Sequence, residues 1–219
     1  MQNPKTFIII PAHNEERHIG EVVKKAKAFG SVIVVDDGSD DATAAAAKAQ
    51  GAEVISHIIN LGKGAALKTG CDRAVKDGAS QLVVLDADSQ HDPEEIPIFL
   101  AALRDAGMVF GYRAFSKEMP FILRLGNWAI SKMTRILFGV KINDTQSGYR
   151  AFTSDTYQKI RWASSSYSME SEMIANMAKH NLKYSQVPIK TIYADRYKGT
   201  TIIDGIKIVM NLLWWKLAK

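Results

Sequence analysis

Strand-like runs alternate with longer amphipathic segments through residues 1–112. The runs are Phe7–Ile10, Val32–Val35, Glu53–Ser56, Leu82–Leu85 and Met108–Phe110. The segments between them, such as those at 15–29 and 41–50, have the length and composition of helices. Strands that alternate with helices form parallel sheets with helices on both faces. We therefore predict an α/β fold with a mostly parallel central sheet.

After Gly111 the elements become longer and less regular. The pattern predicts a helix at Pro120–Phe138, a loop at Asn143–Arg150, a helix at Met169–His180 and a strand at Tyr184–Ile192. No linker rich in glycine and serine divides the chain. We therefore expect one domain over residues 1–199, with halves at 1–112 and 113–199, followed by an amphipathic helix at 200–219.

Carboxylates follow two of the predicted strands. Val32–Val35 and Leu82–Leu85 are continuously apolar, as is typical of central strands that are buried on both faces. Ligands bind at the carboxyl ends of such strands. The acidic groups at these ends are Asp36-Asp37 and Asp86-Ala87-Asp88. After the first group, Ser39 or Asp40 is the expected cap of the next helix.

The second acidic group has the chemistry of a divalent cation site. Asp86 and Asp88 project to the same side of an extended segment. One or two carboxylates, together with substrate phosphates, are how proteins hold magnesium, and manganese takes the same oxygen ligands. Gln90 and His91 lie within reach of the same ion. The alternative is that both aspartates cap the helix that begins near Pro93.

Two further loops follow strands at the same predicted edge. They are Pro11-Ala12-His13-Asn14-Glu15-Glu16 and Asn60-Leu61-Gly62-Lys63-Gly64. The glycines of the second loop allow close backbone approach, and Lys63 offers a point charge to a phosphate. A carboxylate of Asp36 or Asp37 can accept a hydrogen bond from a nucleobase N–H. The alternatives are a helix cap for the acidic pair and a solvated surface position for Lys63.

Taken in order, these motifs resemble those of the family 2 glycosyltransferases, and within them the dolichyl-phosphate mannose and glucose synthases, from Pro11 to about Arg150. The resemblance implies a GT-A (Rossmann-like) fold, a nucleotide-diphosphate sugar donor such as GDP-mannose or UDP-glucose, a polyprenyl or dolichyl phosphate acceptor, and inversion at the anomeric carbon. At the nucleotide it implies Pro11, Ala12, Asn14 and Glu15, with Asp36 or Asp37 at the base or ribose. At Mg²⁺ or Mn²⁺ it implies Asp86, Asp88 and Gln90. Residues 1–112 then form the nucleotide-binding half and 113–199 the acceptor half.

The acceptor half carries further candidate contacts. The resemblance places Arg113 at an arginine that meets anionic substrate, and Asp144 and Gln146 around the transferred sugar. Arg196 and Lys198 lie on a loop that we expect to close on the diphosphate. The alternatives are a structural turn for Asp144 and Gln146, and plain surface charge for the three cations.

Two amphipathic segments indicate contact with a membrane surface. In the helix at Pro120–Phe138 a polar stripe is flanked by apolar side chains, and the stripe consists of Arg124, Asn127, Ser131 and Arg135. We expect Arg124 to bind a lipid phosphate. The segment Thr201–Lys219 carries Trp214-Trp215 beside lysines, which suits a headgroup interface. The alternative for the first helix is a core position or a homodimer interface.

The acceptor decides whether a base is needed. A phosphate monoester is largely ionised at neutral pH, since its second pKa is about 6. A hydroxyl acceptor instead needs a carboxylate, and the candidates are Asp144, Glu170 and Glu172. A soluble transferase that acts on a glycan or small hydroxyl acceptor is therefore the second hypothesis. A non-catalytic nucleotide-binding or membrane-adaptor module is the third, and a nucleotidyltransferase is disfavoured because the N-terminus lacks a glycine-rich phosphate loop.

Charge and composition narrow the partners. The chain of 219 residues has a formal net charge of +5 and a pI near 9.2, which suits a nucleotide sugar, a phospholipid surface or a nucleic acid. The motifs favour the first two, so we expect no nucleic-acid partner. The single cysteine, Cys71, falls in a helical stretch and is expected to be packed core in a reducing compartment. No secretion signal and no run of about 20 apolar residues is present, so we expect a cytoplasmic protein, peripheral to the membrane.

Overall fold

The structure is a computed structural model that describes residues 4–113, 121–166, 168–190, 210–212, 214 and 216, with side chains from residue 128 onward in the second range. Its centre is a seven-stranded sheet in the order β3-β2-β1-β4-β6-β5-β7. The strands are β1 (Thr6–Ala12), β2 (Ser31–Asp36), β3 (Glu53–Ser56), β4 (Gln81–Val84), β5 (Met108–Arg113), β6 (Arg150–Thr153) and β7 (Tyr184–Ile189). The helices are α1 (Ile19–Ala26), α2 (Thr43–Ala49), α3 (Lys63–Lys76), α4 (Ile96–Ala102), α5 (Phe121–Phe138), α6 (Ser154–Ile160) and α7 (Met169–Lys179).

The predicted α/β fold with a mostly parallel sheet is confirmed, with one strand added. β1 pairs in parallel with β2 and β4, β2 with β3, and β5 with β7. β6 lies antiparallel between β4 and β5. The sequence pattern predicted a loop that ends at Arg150 and predicted neither β6 nor α6. A strand of four residues that begins with a charged side chain gives almost no periodic signal.

The core forms two layers, one on each face of the sheet. Period-two alternation in β1 sends Ile9 towards α3 and α7, where it joins a cluster that includes Leu67 and Met173. Ile8 points to the opposite face and joins a cluster of side chains from α1 and α4 that includes Phe99. Cys71 is fully buried in the first cluster, as expected. Helices cover both faces and leave the strand ends as the accessible edge.

Several boundaries differ from those predicted. β1 continues through Pro11 to Ala12, because β2 still pairs there after the pairing with β4 has ended at Ile9. The cap of α2 is wrong in the prediction: the Asp41 side chain accepts the backbone N–H of Thr43, and neither Ser39 nor Asp40 does so. The N-cap residue is Ala42, which makes no side-chain cap bond, and Asp41 bonds the first helical N–H because α2 begins later than its sequence pattern suggested.

The membrane-facing predictions are only partly covered by the described residues. α5 matches the predicted helix, but the side chain of Arg124 lies outside the described residues, as do Arg196 and Lys198. In the C-terminal segment, Leu212 is buried against Ile130 of α5. Among the described residues no helix is both long and apolar enough to cross a membrane.

Candidate active site

The loops after β1 and β2 are bonded to each other at the carboxyl edge of the sheet. Asn14 has a left-handed φ of 56°, and its backbone N–H donates to Ser39 Oγ at 2.9 Å. The Asn14 side chain in turn accepts the backbone N–H of Asp40 at 2.9 Å. The Glu15 N–H donates to Thr43 Oγ1 at 2.8 Å. The two loops therefore form one rigid floor.

Four predicted nucleotide contacts lie on this floor. Pro11 and Ala12 are the last residues of β1, and Ala12 pairs with Asp36 at the end of β2. Asn14 and Glu15 follow directly. The structure brings these residues to one edge beside Asp36, although the burial of Pro11 and Ala12 leaves mainly their backbone to meet a ligand.

Asp36 and Asp37, which the sequence could not separate, differ in their surroundings. The Asp37 carboxylate accepts the backbone N–H of Leu61 at 2.9 Å and of Gly62 at 2.8 Å, and lies 2.7 Å from His57 Nδ1. It thus holds the turn before α3. Asp36 uses Oδ1 for a longer bond of 3.3 Å from the Ser39 N–H.

The glycines on either side of Lys63 allow another segment of the chain to approach closely. A Cβ on Gly62 or Gly64 would overlap the carbonyl oxygens of Ser165 and Ser164. The N–H of Gly64 also donates to Ser165 O at 2.7 Å, which caps the start of α3. The close approach seen here is to the chain's own residues 164 and 165. The Glu172 carboxylate fixes this segment by accepting the N–H of Ser164 at 2.9 Å.

Lys63 lies between two carboxylates. Its Nζ is 2.7 Å from Asp86 Oδ1 and 3.2 Å from Glu170 Oε1. Burial acts to lower the pKa of Lys63, but the charges of Asp86 and Glu170 outweigh it and raise that pKa above its ordinary value. Burial likewise opposes ionisation of Asp86, yet Lys63 holds the pKa of Asp86 below its ordinary value. Lys63 is therefore a fixed ammonium inside the site, so the surface alternative is wrong.

The segment after β4 bends and does not continue as an extended strand. β4 ends at Val84, and Ser89 has a left-handed φ of 62°. The argument from strand alternation for Asp86 and Asp88 therefore does not apply. The backbone N–H of Gln90 donates to Asp88 Oδ1 at 3.0 Å, which brings Gln90 beside that carboxylate.

His91 positions Asp86. Its ring is buried against Tyr149, with 5.1 Å between the ring centroids. Nδ1 accepts the backbone N–H of Asp86 at 3.3 Å. Burial lowers the pKa of His91 to about 4, so the ring is neutral at pH 7. That nitrogen is engaged with the backbone, and reach of His91 to a metal ion stays a prediction.

The donor set fits a hard divalent cation. Burial and the negative charge of Asp86 raise the pKa of Asp88 to about 6, and they outweigh the Gln90 N–H and the Lys63 charge, which act to lower it. Among the described residues no group of three or more His, Cys, Asp or Glu side chains could hold a metal ion. Asp86, Asp88 and the Gln90 amide would leave the remaining positions to phosphate oxygens and water, as magnesium prefers.

On the acceptor side, Asp144 and Arg113 form a buried pair. Arg113 Nε is 2.6 Å from Asp144 Oδ2, and Arg113 Nη2 is 3.1 Å from Asp144 Oδ1. The Gln146 side chain donates to Ser171 Oγ at 3.4 Å, which places it at the start of α7. A Cβ on Gly148 would lie 2.6 Å from Asp86 Oδ2. The loop at 143–150, called the acceptor loop after its predicted role, is therefore packed directly against Asp86, one of the predicted metal ligands.

Arg150 organises this loop and was not among the predicted site residues. It is 1% exposed, and its guanidinium donates to Thr145 O at 2.8 Å, Glu170 O at 2.9 Å and Ser147 O at 3.1 Å. The only sequence signal for Arg150 was its place at the end of the segment that carries the family resemblance. Glu170 was considered only as a base, and nothing in the sequence connected it to Lys63.

Comparisons with known proteins agree with this geometry. The profile of the family described as "Glycosyl transferase family 2" matches residues 7–161. A protein of Methanocaldococcus jannaschii, named only as uncharacterized, is 38% identical over 96% of this chain and 92% of its own length. The UDP-N-acetylglucosamine–dolichyl-phosphate N-acetylglucosaminyltransferase of Methanococcus voltae is 33% identical over 100% of this chain and 99% of its own. The undecaprenyl-phosphate mannosyltransferase of Micrococcus luteus is 30% identical over 98% and 95%.

Solved structures share the fold at lower identity. Glucosyl-3-phosphoglycerate synthase of Mycobacterium tuberculosis, in complex with Mn²⁺, UDP-glucose and phosphoglyceric acid, matches with a TM-score of 0.79 at 20% identity, over 97% of this chain and 80% of that one. The same enzyme with Mg²⁺ and UDP matches with a TM-score of 0.75 at 19% identity, over 98% and 79%. The fold is thus the GT-A fold that the motifs implied. The chain belongs to glycosyl transferase family 2 and is a glycosyltransferase.

Proposed function

We propose that the enzyme transfers a hexose from a nucleoside-diphosphate sugar to a polyprenyl phosphate, with the help of a divalent cation and with inversion at the anomeric carbon. Relatives that align over nearly their whole length are named as transferases to dolichyl or undecaprenyl phosphate. The observation that carries the proposal is the state of the acceptor-side carboxylates. Each one that could serve as a base is already bonded to a cation or to backbone N–H groups.

Three carboxylates were candidates for that base. Asp144 is held by two guanidinium contacts from Arg113, and Glu170 is paired with Lys63. Glu172 accepts the N–H groups of Ala163 and Ser164. Each of these carboxylates is thus already engaged by a cation or by backbone N–H groups. The arrangement favours an acceptor whose oxygen is already ionised, and a phosphate monoester meets that condition at neutral pH.

The transfer then needs no proton removal. An acceptor phosphate oxygen forms the bond to the anomeric carbon, while the bond from that carbon to the donor diphosphate breaks. The leaving nucleoside diphosphate takes the electron pair of that bond. We assign Lys63 to the diphosphate, because fixed charges aimed at developing negative charge commonly give the largest catalytic contribution. A cation held by Asp86, Asp88 and Gln90 would supply further neutralisation there.

The donor nucleotide would lie on the floor formed by the first two loops. We assign Asp36 to the base or ribose, because Asp37 is committed to the turn at Leu61 and Gly62. Backbone groups of Pro11 and Ala12, with Asn14 and Glu15, complete that contact. Arg113, Asp144 and Gln146 would line the transferred sugar, and Arg196 and Lys198 remain proposed phosphate contacts.

A lipid acceptor implies contact with a membrane surface. The side of α5 away from the core exposes Trp128 and Ile136, 53% and 68% exposed, beside Lys132 and Arg135. Apolar and basic side chains on one helix face suit an anionic headgroup region. We propose peripheral attachment at a cytoplasmic membrane face through this helix, with Arg124 at the lipid phosphate.

The test is a donor and acceptor screen. GDP-mannose, UDP-glucose and UDP-N-acetylglucosamine are each supplied with Mn²⁺ or Mg²⁺, with and without a short polyprenyl phosphate, and nucleotide release is measured. We expect lipid-dependent release from one donor, lost on chelation and lowered at least about 100-fold in Asp88→Ala. Donor binding without lipid-dependent release would favour the second candidate, a transferase to a glycan or small hydroxyl acceptor. Failure of every donor to bind with either metal would refute the enzyme as described.

A further inference from the structure

The Lys63 ammonium has a second carboxylate partner that the reaction described above leaves unexplained. Glu170 lies in the first turn of α7, whereas the other partner, Asp86, lies in the segment after β4. Its side chain is 3% exposed. Among the described residues, Oε2 of Glu170 is buried without a hydrogen-bond partner, while Oε1 lies 3.2 Å from Lys63 Nζ. A buried carboxylate with a partner on only one oxygen destabilises the fold. Its presence therefore makes Glu170 a candidate for a functional role.

Glu170 is held in place by its surroundings. The Arg150 guanidinium lies beside it but donates to carbonyl oxygens, including Glu170 O at 2.9 Å. The ion pair that reaches the Glu170 side chain is the one from Lys63. A Cβ on Gly148 would lie 2.9 Å from Lys63 Nζ, so this glycine packs closely against the ammonium. The ammonium is thus enclosed by α3, α7 and the acceptor loop.

Binding of the donor with its cation would affect Asp86 and Glu170 differently. Asp86 belongs to the set that would hold the divalent cation, so it cannot serve both the cation and Lys63 fully. Glu170 lies on α7, outside that set, and keeps its pair with Lys63 whatever Asp86 binds. Without Glu170, the ammonium would lose its contact with α7, and its contact with Asp86 would compete more strongly with the cation.

We infer that Glu170 is a positioning residue that keeps the Lys63 ammonium in the site, directed at the donor diphosphate, when the cation takes over the Asp86 carboxylate. This inference rests on the proposed function, since it requires a diphosphate at the site. It assigns Glu170 no contact with substrate. Its effect on donor binding must therefore pass through Lys63.

A double-mutant cycle tests this dependence. Wild type, Glu170→Gln, Lys63→Met and the double variant are titrated with UDP and with GDP in the presence of Mn²⁺ by isothermal calorimetry, which needs no turnover. We expect Glu170→Gln to weaken binding of the accepted nucleotide about tenfold, in line with loss of a charge-assisted contact. Lys63→Met should weaken it at least as much, and the double variant no further than Lys63→Met. Glu53→Gln removes the same charge at a distant pair with Arg73 and should bind as wild type.

Thermal unfolding of the same variants provides a readout independent of the ligand. Lys63→Met leaves the Glu170 carboxylate buried beside Asp86 without its ammonium, so it should lower Tm by several degrees. Adding Glu170→Gln should restore much of that loss. Wild-type binding by Glu170→Gln, or weakening that simply adds to that of Lys63→Met, would overturn the inference and leave the proposed function intact. Failure of the wild type to bind either nucleotide would overturn the proposed function and this inference with it.

Discussion

Arg150→Met removes a guanidinium that three backbone carbonyls share. Thr145 O, Ser147 O and Glu170 O would each lose a charge-assisted hydrogen bond in a fully buried place. An unsatisfied buried acceptor costs about 1–3 kcal/mol. Burial lowers the pKa of Arg150 to about 10 despite opposing carboxylates, which indicates a desolvation cost that the substitution would relieve. The free energy of unfolding should therefore fall by about 3–5 kcal/mol, less than the three losses summed.

Urea unfolding at 25 °C measures this change. With a slope of about 2 kcal/mol/M, the midpoint should move down by about 2 M. Arg161→Met is the matched control, because the Arg161 side chain is 47% exposed and its ion pair with Asp72 lies on the surface. That pair should contribute about 0–1 kcal/mol. If Arg150→Met costs no more than Arg161→Met, the view that Arg150 organises the acceptor loop is wrong.

Three further substitutions and probes follow from the same contacts. Gly148→Ala places a methyl group 2.6 Å from Asp86 Oδ2, so it should lower turnover at least about tenfold while Tm falls only slightly. Unchanged turnover would contradict that packing. Asp37→Asn weakens the bonds that hold His57 and the turn before α3, and should raise the donor KM by about tenfold while kcat changes little, as steady-state kinetics would reveal. Burial raises the pKa of the Cys71 thiol well above its ordinary value, so an aromatic disulfide reagent at pH 8 should react with it only after unfolding in guanidinium.

The sequence predicted the parts of the fold that depend on local pattern. The apolar runs at the first two strands, and the helix-length segments after them, determined the parallel half of the sheet. The sequence pattern did not predict β6, because its pairing with β4 and β5 is long-range and its first residue is an arginine. The burial of Arg150 depends on three carbonyls contributed by residues 145–170, and no local pattern encodes that arrangement.

The sequence predicted which residues belong to the candidate site better than it predicted the hydrogen bonds and ion pairs among them. Motif order brought Asp86, Asp88 and Lys63 into consideration, and the structure places Lys63 on Asp86. The sequence did not reveal that Glu170 shares the ammonium, because α7 follows α3 by about a hundred residues and packs beside it only in three dimensions. Nor could it separate Asp36 from Asp37, since both are acidic residues at one strand end.

The central claim is that the acceptor oxygen arrives already ionised, and one comparison tests it most directly. The accepted donor and Mn²⁺ are incubated with a short polyprenyl phosphate or with the matching polyprenol, which differs only in lacking the phosphate, and the lipid product is identified by mass spectrometry. The account predicts the mass of polyprenyl phosphate plus one hexose, and no product from the polyprenol. Glycosylation of the polyprenol at a comparable rate would contradict it, because a hydroxyl acceptor needs a base that Asp144, Glu170 and Glu172 are not free to provide.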